Sequence, residues 1–324
     1  MKTKNEVLEL VRSKIRLRHF AYSTEQSYCG WVARYYDYTL RLPRELTPEA
    51  KAERFLSDLA QRLNVAAKTQ NQALAAILFL YEHVLQKPLG KIDALRAKQP
   101  KQQRQAPSRE QVRAFRAAVK DTPNTPARLL VDLLYGCGLR VSEPLDLRVK
   151  DILWGENQLS IRDAKGGKDR RVPIPETLKD ALRIQVQRAQ QVWEWDRRKA
   201  PAVGVPLPNA LAKKYPTAPT AWQWFYVFPA AGHCQHPRTG QTVRYHLLPD
   251  ALQRAVKQAA TLVGLEGLIT PHVLRHGYAT HLLGAGVDIR TVGELMGHSS
   301  IETTAGYVHP QVNRAPNPLD LLAA

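Results

Sequence analysis

The sequence predicts a mostly α-helical protein with a small antiparallel β meander, arranged as an N-terminal helical domain and a larger C-terminal domain. Three observations carry that expectation. Apolar residues recur at helical spacing through most of the chain. The period shortens to two around residues 159–174. Residues 97–107 (AKQPKQQRQAP) have no apolar period at all and divide the helical stretches. A chain of 324 residues exceeds one ordinary core and fits two.

Residues 1–96 read as four amphipathic helices. Leu8, Val11 and Ile15 form one stripe; Tyr28, Trp31, Val32 and Tyr35 form the next, with Ser23 and Gln26 expected as a capping box ahead of it. Thr47-Pro48-Glu49 has the order of an N-cap, a first-turn proline and an acid suited to the helix dipole. It opens a stripe through Phe55, Leu56, Leu59 and Leu63. The fourth runs through Leu74, Ile77, Leu78, Tyr81, Val84 and Leu85. Residues 97–107 read as an extended linker, about 30 Å at full stretch. Such a tether lets two basic domains reach opposite sides of a duplex, although an ordinary tether has the same composition. The C-terminal domain, 108–324, opens on a second capping box, Ser108 and Gln111, followed by helices to about 148. Leu159 and Ile161 then alternate, Gly166-Gly167 marks a turn, and Arg171-Val172-Pro173-Ile174 resumes the extended run. Helical patterns return at 176–199 and from 249 onward. Between them lies a stretch rich in Pro, Trp and Tyr.

With 47 basic against 29 acidic residues, the formal charge of +18 is spread along the chain and points to a polyanion partner, nucleic acid above all. Charge alone suits a ribosomal or RNA-modifying protein equally. Cys29, Cys137 and Cys234 lie far apart with no metal-ligand spacing, which suits a reducing cytoplasm. No signal-like segment opens the sequence, and no apolar run approaches the ~18 residues of a membrane span. There is neither a P-loop nor a set of clustered carboxylates, so no cofactor or metal is expected.

Phosphoryl transfer at a phosphodiester asks mainly for positioned cations, a nucleophile and an acid for the leaving oxygen. Arg140 follows a glycine-punctuated turn at the start of a helix, in LLYGCGLRVSE. Thr270 and Pro271 open a helix on which His272 and Arg275, three apart, share a face. His298 follows a helix end in LMGHSS, and Ser299 with Glu302 forms a capping box for the segment bearing Tyr307. Taken together, these segments and HVLRHGYATHLL resemble the tyrosine recombinase (phage-integrase) family over essentially the whole chain. The resemblance implies a helical, SAM-like core-binding domain ahead of a catalytic domain that cleaves and rejoins DNA through a 3′-phosphotyrosine. Arg140 and Arg275 would hold the scissile phosphate, and Tyr307 would attack it. His298 would donate a hydrogen bond to a phosphate oxygen, and His272 would assist proton transfer. Lys165, in preference to Lys168, would protonate the leaving 5′-oxygen, and Glu143 would orient a basic neighbour. A homotetramer on DNA, its subunits linked by an exchanged C-terminal tail carrying Leu319, Leu321 and Leu322, and a place in the bacterial cytoplasm at the nucleoid complete the expectation.

A segment at about 189–246 interrupts the common catalytic pattern. Its PNALAKKYPTAPTAWQWFYVFP resembles the insertion of integron integrases, which helps bind folded, single-stranded cassette hairpins. Trp224, Tyr245 and His246 are the expected base-stacking residues, since an extrahelical base exposes a π-face. Tyr245-His246 departs from the paired histidines of that group. Phe225 and Phe228 are expected in the core, on a half-buried strand through Trp224–Phe228. Two alternatives remain: a Xer-like or phage-type recombinase acting on duplex sites, and a DNA-binding regulator without catalysis.

Overall fold

The computed structural model describes residues 3–95, 97, 105–162, 169–207, 211–297 and 304. The chain forms two compact units, Met1–Gln103 and Arg104–Ala324. The first is built from α1 (Lys4–Leu17), α2 (Tyr22–Thr39), α3 (Pro48–Gln61) and α4 (Ala67–Phe79), the last running into a π-type turn over Leu80–Val84. Their stripes meet in one core through Val11, Ile15, Val32, Tyr35, Leu56 and Ile77, whereas Leu63, Leu78 and Leu85, expected in the stripes, are exposed. Thr47 caps α3 by accepting from the Ala50 amide, with Pro48 in the first turn. The capping box expected at Ser23 and Gln26 does not form. The N-cap of α2 is Ala21, and Gln26 lies one turn inside the helix, donating to the Tyr22 hydroxyl at 2.8 Å. Glu25 is buried there because Arg16 of α1 grips it with two donors.

The second unit begins with α5 (Arg109–Ala118), capped by the Ser108–Gln111 box, then α6 (Ala127–Gly136) and the short α7 (Ser142–Asp146). β1 (Ile152–Leu153), β2 (Gln158–Ile161) and β3 (Arg170–Pro173) pair antiparallel in that order. Leu159 sits opposite Val172, both fully buried. α8 (Lys179–Lys199), α9 (Leu211–Lys214) and a hairpin of β4 (Pro229–Gln235) and β5 (Thr242–His246) follow. α10 (Pro249–Leu262), α11 (Pro271–Gly284) and α12 (Ile289–Met296) complete the described elements. The main core gathers Phe115, Leu130, Leu134, Leu159, Leu182 and Leu274.

The 222–228 segment corrects the strand expectation. Trp222–Trp224 is a 3₁₀ turn, and Phe225 through Phe228 are all buried instead of alternating. The cause is two cores on either side: Phe225 and Tyr226 join a satellite cluster with Ala189 and Val205, while Val227 and Phe228 join the main core. Backbone hydrogen bonds from Val149 to Phe225 and from Val227 to Leu147 fix the crossing. No described helix is long and apolar enough to cross a membrane.

Candidate active site

Arg140, Glu143 and Arg275 come together, and Arg170 joins them. α6 ends into Gly138, whose φ of 62° is a left-handed conformation suited to glycine; any Cβ there would run into the Tyr278 ring. This turn presents the Gly138 carbonyl to Arg275 Nη1 at 2.5 Å. Arg275, buried on α11, also donates from Nη2 to the Met296 carbonyl at 2.6 Å. The orphan carbonyls at the end of α12 thus find a cation.

Glu143, in the first turn of α7, is the hub. It accepts from the Arg140 amide at 2.7 Å and from Arg140 Nη1 at 2.7 Å. Arg170 adds a bidentate fork at 2.9 and 2.6 Å, and Arg275 Nη1 lies 3.9 Å away. Burial by itself would raise the Glu143 pKa, but the hydrogen bonds and charge of Arg170, then of Arg140, hold it below the usual carboxylate range. Among the described residues, three guanidinium groups converge on this one carboxylate, a local surplus of positive charge. Arg140 retains 27% side-chain exposure, and its Nη2 lies 3.4 Å from the Gly297 carbonyl. Such an arrangement can accept a phosphate whose oxygens match guanidinium forks.

Thr270 caps α11 as expected, accepting from the Val273 amide. This sets exposed His272 in the first turn, one turn before buried Arg275. Thr304 is fully buried, its hydroxyl beside the position a Cβ on Gly293 of α12 would take. Lys165, Lys168, His298 and Tyr307 lie outside the described residues, as do the Ser299–Glu302 box and the C-terminal tail.

The sequence reading missed Arg170. Its signal was available: Arg170 and Val172 occupy the inward positions of β3, and a basic side chain on the buried face of a strand needs an anionic partner.

The insertion around 189–246 has its own cation–aromatic cluster. The Lys150 ammonium lies 3.0 Å from the Trp224 ring centroid, and burial pushes its pKa down to about 8. Arg148 packs over Tyr226 and donates to the carbonyls of Trp224 and Pro206. Trp224 and Tyr245 are half-buried. His246 corrects the expectation of an open stacking face, because only 6% of it is exposed. Its Nδ1 donates to the Leu247 carbonyl, its Nε2 lies 2.9 Å from Asp146, and its ring packs on Tyr245 and Tyr226. Behind them, Asp196 at the end of α8 holds Arg244 of β5 and His233 of β4. Lys150 and Asp196 were also missed, since neither belongs to a local motif.

A helical N-terminal unit and a mixed unit with an arginine-rich cluster set the architecture, and comparison with known proteins gives the family. The phage integrase family matches residues 108–314, and the phage integrase N-terminal SAM-like domain matches 7–91. An "Integrase/recombinase" of Escherichia coli is 40% identical over 315 residues, covering 94% of this chain and 89% of its own. "Tyrosine recombinase XerA" of Thermococcus kodakarensis is 31% identical over 316 residues, covering 95% and 92%. The Tn1549 transposon integrase, solved in complex with transposon right end DNA, shares the fold at a TM-score of 0.62 and 19% identity, covering 98% and 99%. The chain belongs to the phage integrase family. It is a tyrosine-type, site-specific DNA recombinase.

Proposed function

We propose that this recombinase is an integron integrase, inserting and excising gene cassettes at duplex and folded single-stranded sites. The observation that carries the chemistry is the cationic surplus around Glu143. In this reading Arg140 and Arg275 neutralise the non-bridging oxygens of the scissile phosphate, and His298 donates to one of them. The Tyr307 oxygen attacks phosphorus as the bond to the 5′-oxygen breaks. Lys165 gives that oxygen its proton, and His272 assists removal of the proton from Tyr307. A phenol near pKa ~10 ionises at neutral pH only if attack and deprotonation are coupled, which nearby cations favour. The phosphotyrosine conserves the energy of the DNA bond for rejoining. Residues 1–96 and 108–324 act as two DNA-binding arms joined by 97–107, and four protomers linked by exchanged C-terminal tails synapse two sites.

The cassette reading is supported by the insertion, which has a small core of its own and carries Trp224 and Tyr245 half-buried beside Lys150. An extrahelical base stacked on such a ring gains ~1–3 kcal/mol. The test is a competition between a folded bottom-strand hairpin and a duplex of matched sequence. Covalent product with hairpin preference supports the integrase. Duplex preference would favour a Xer-like enzyme, and binding without any adduct would favour a regulator.

A further inference from the structure

We infer that Arg170 is a positioning residue for strand cleavage, acting as a clasp that sets Arg140 and the end of α12 at once. It rests on the proposed role of Arg140 at the phosphate. Arg170 uses one guanidinium in two directions. Its Nη1 and Nη2 form the fork to Glu143, the carboxylate that also fixes the Arg140 side chain and amide. Its Nε donates to the Leu295 carbonyl at 2.8 Å, in the last turn of α12. Two residues later Gly297 ends that helix at φ 63°, so close that a Cβ there would lie 2.9 Å from Arg170 Cδ. His298 comes next in the chain.

Arg170 is 9% exposed, and the bonds just described employ all three of its nitrogens. It therefore acts on the phosphate through its neighbours. It also opens β3, the strand that follows the segment with Lys165 and Lys168. One side chain thereby ties α7, which bears the hub carboxylate, to β3 and to the end of α12. Lysine at this position would keep the charge but lose the planar fork, so it cannot serve Glu143 twice and Leu295 together.

The test uses the full-length protein and a nicked substrate that traps the covalent adduct in a single turnover. Arg170→Lys and Arg170→Gln are compared with Arg171→Ala, an exposed neighbour on the same strand. DNA affinity and melting temperature are measured in parallel. Both Arg170 variants are expected to bind the site within about threefold of the parent and to cleave it about 100-fold more slowly at saturation, the scale of a misplacement near 1 Å. Arg171→Ala should cleave normally. Glu143→Gln combined with Arg170→Lys should be no slower than the slower single variant, because the two act as one unit. A substrate with a 5′-bridging sulfur, which needs no proton on its leaving group, should restore little of the rate. Full rescue by sulfur would confine Arg170 to the lysine and overturn the clasp. Loss of affinity or melting in step with the rate, in both Arg170 variants, would make it a residue of folding only and also overturn it. Arg140→Ala, assayed alongside, reports separately on the reading beneath: normal adduct from that variant would remove the phosphate role of Arg140 whatever Arg170 does.

Discussion

Glu143 and Asp196 are both buried carboxylates gripped by arginine, in the same unit of the chain, yet they define opposite kinds of site. Asp196 is fully buried and receives Arg244 side-on at 2.8 and 2.5 Å, with His233 at 2.7 Å. Arg244 Nη1 donates to the Ala230 carbonyl at 2.9 Å and Nη2 also lies 2.9 Å from His233 Nε2, so one guanidinium answers one carboxylate. Glu143 faces three arginines, and one of them, Arg140, keeps part of its side chain exposed. The chemistry of each pair is the same. Among the described residues the stoichiometry differs: a one-to-one pair braces the β4–β5 hairpin against α8, whereas three arginines converge on Glu143 in a cationic cluster suited to an anion.

The largest expected effect is at Tyr307, the proposed nucleophile. Tyr307→Phe should bind DNA normally and form no covalent complex on a denaturing gel, since only the phenolic oxygen is lost. Next comes the brace. Asp196→Ala leaves Arg244 buried without its counter-charge, and thermal melting should show a loss of about 3–5 kcal/mol. Acid sharpens the same point. Burial would raise the Asp196 pKa, but Arg244 and His233 hold it below the usual carboxylate range. The brace should thus be intact above the unfolded carboxylate pKa and fail only as pH falls through the lowered folded value. A melting series in pH should show that acid-side decline reduced in Asp196→Asn.

Smaller effects are expected at the satellite cluster. Trp224→Ala should weaken hairpin binding by ~1–3 kcal/mol and leave duplex binding unchanged. Equal loss on both substrates would detach Trp224 from base recognition. The smallest effect belongs to Lys150, whose pKa is pushed down to about 8. If phosphate approaches it in the complex, the bound pKa rises, so affinity holds below pH 8 and falls above it by at most ~10-fold per unit. Lys150→Arg should flatten that dependence in a binding titration.

Much of this was legible in sequence because it is local. Caps at Thr47, Ser108 and Thr270 need only a side chain and an amide three residues on. The β2–β3 alternation needs only one strand's own pattern. Arg140, Glu143 and Arg275 were found through their motifs. The parts that escaped depend on distant partners. Arg170 meets Glu143 from 27 positions away, and Asp196 meets Arg244 from 48. The residues of 225–228 looked like a half-buried strand because their sequence cannot reveal that two cores flank them. His246 was chosen for its ring, while Asp146 and the Leu247 carbonyl occupy its nitrogens.

The most direct measurement sets the two carboxylate sites against each other: single-turnover adduct formation by Arg140→Ala and Asp196→Asn at saturating protein, with melting curves alongside. Arg140→Ala is expected to lose the adduct, as sites lose about 10²–10³ in rate when one charge-stabilising donor goes, while melting near the parent temperature. Glu143 would keep the Arg170 fork. Asp196→Asn is expected to melt earlier and, below its melting temperature, to form adduct at the parent rate. Normal adduct from Arg140→Ala, or abolished adduct from well-folded Asp196→Asn, would contradict the assignment of the surplus at Glu143 to the scissile phosphate and of the balanced pair at Asp196 to the scaffold.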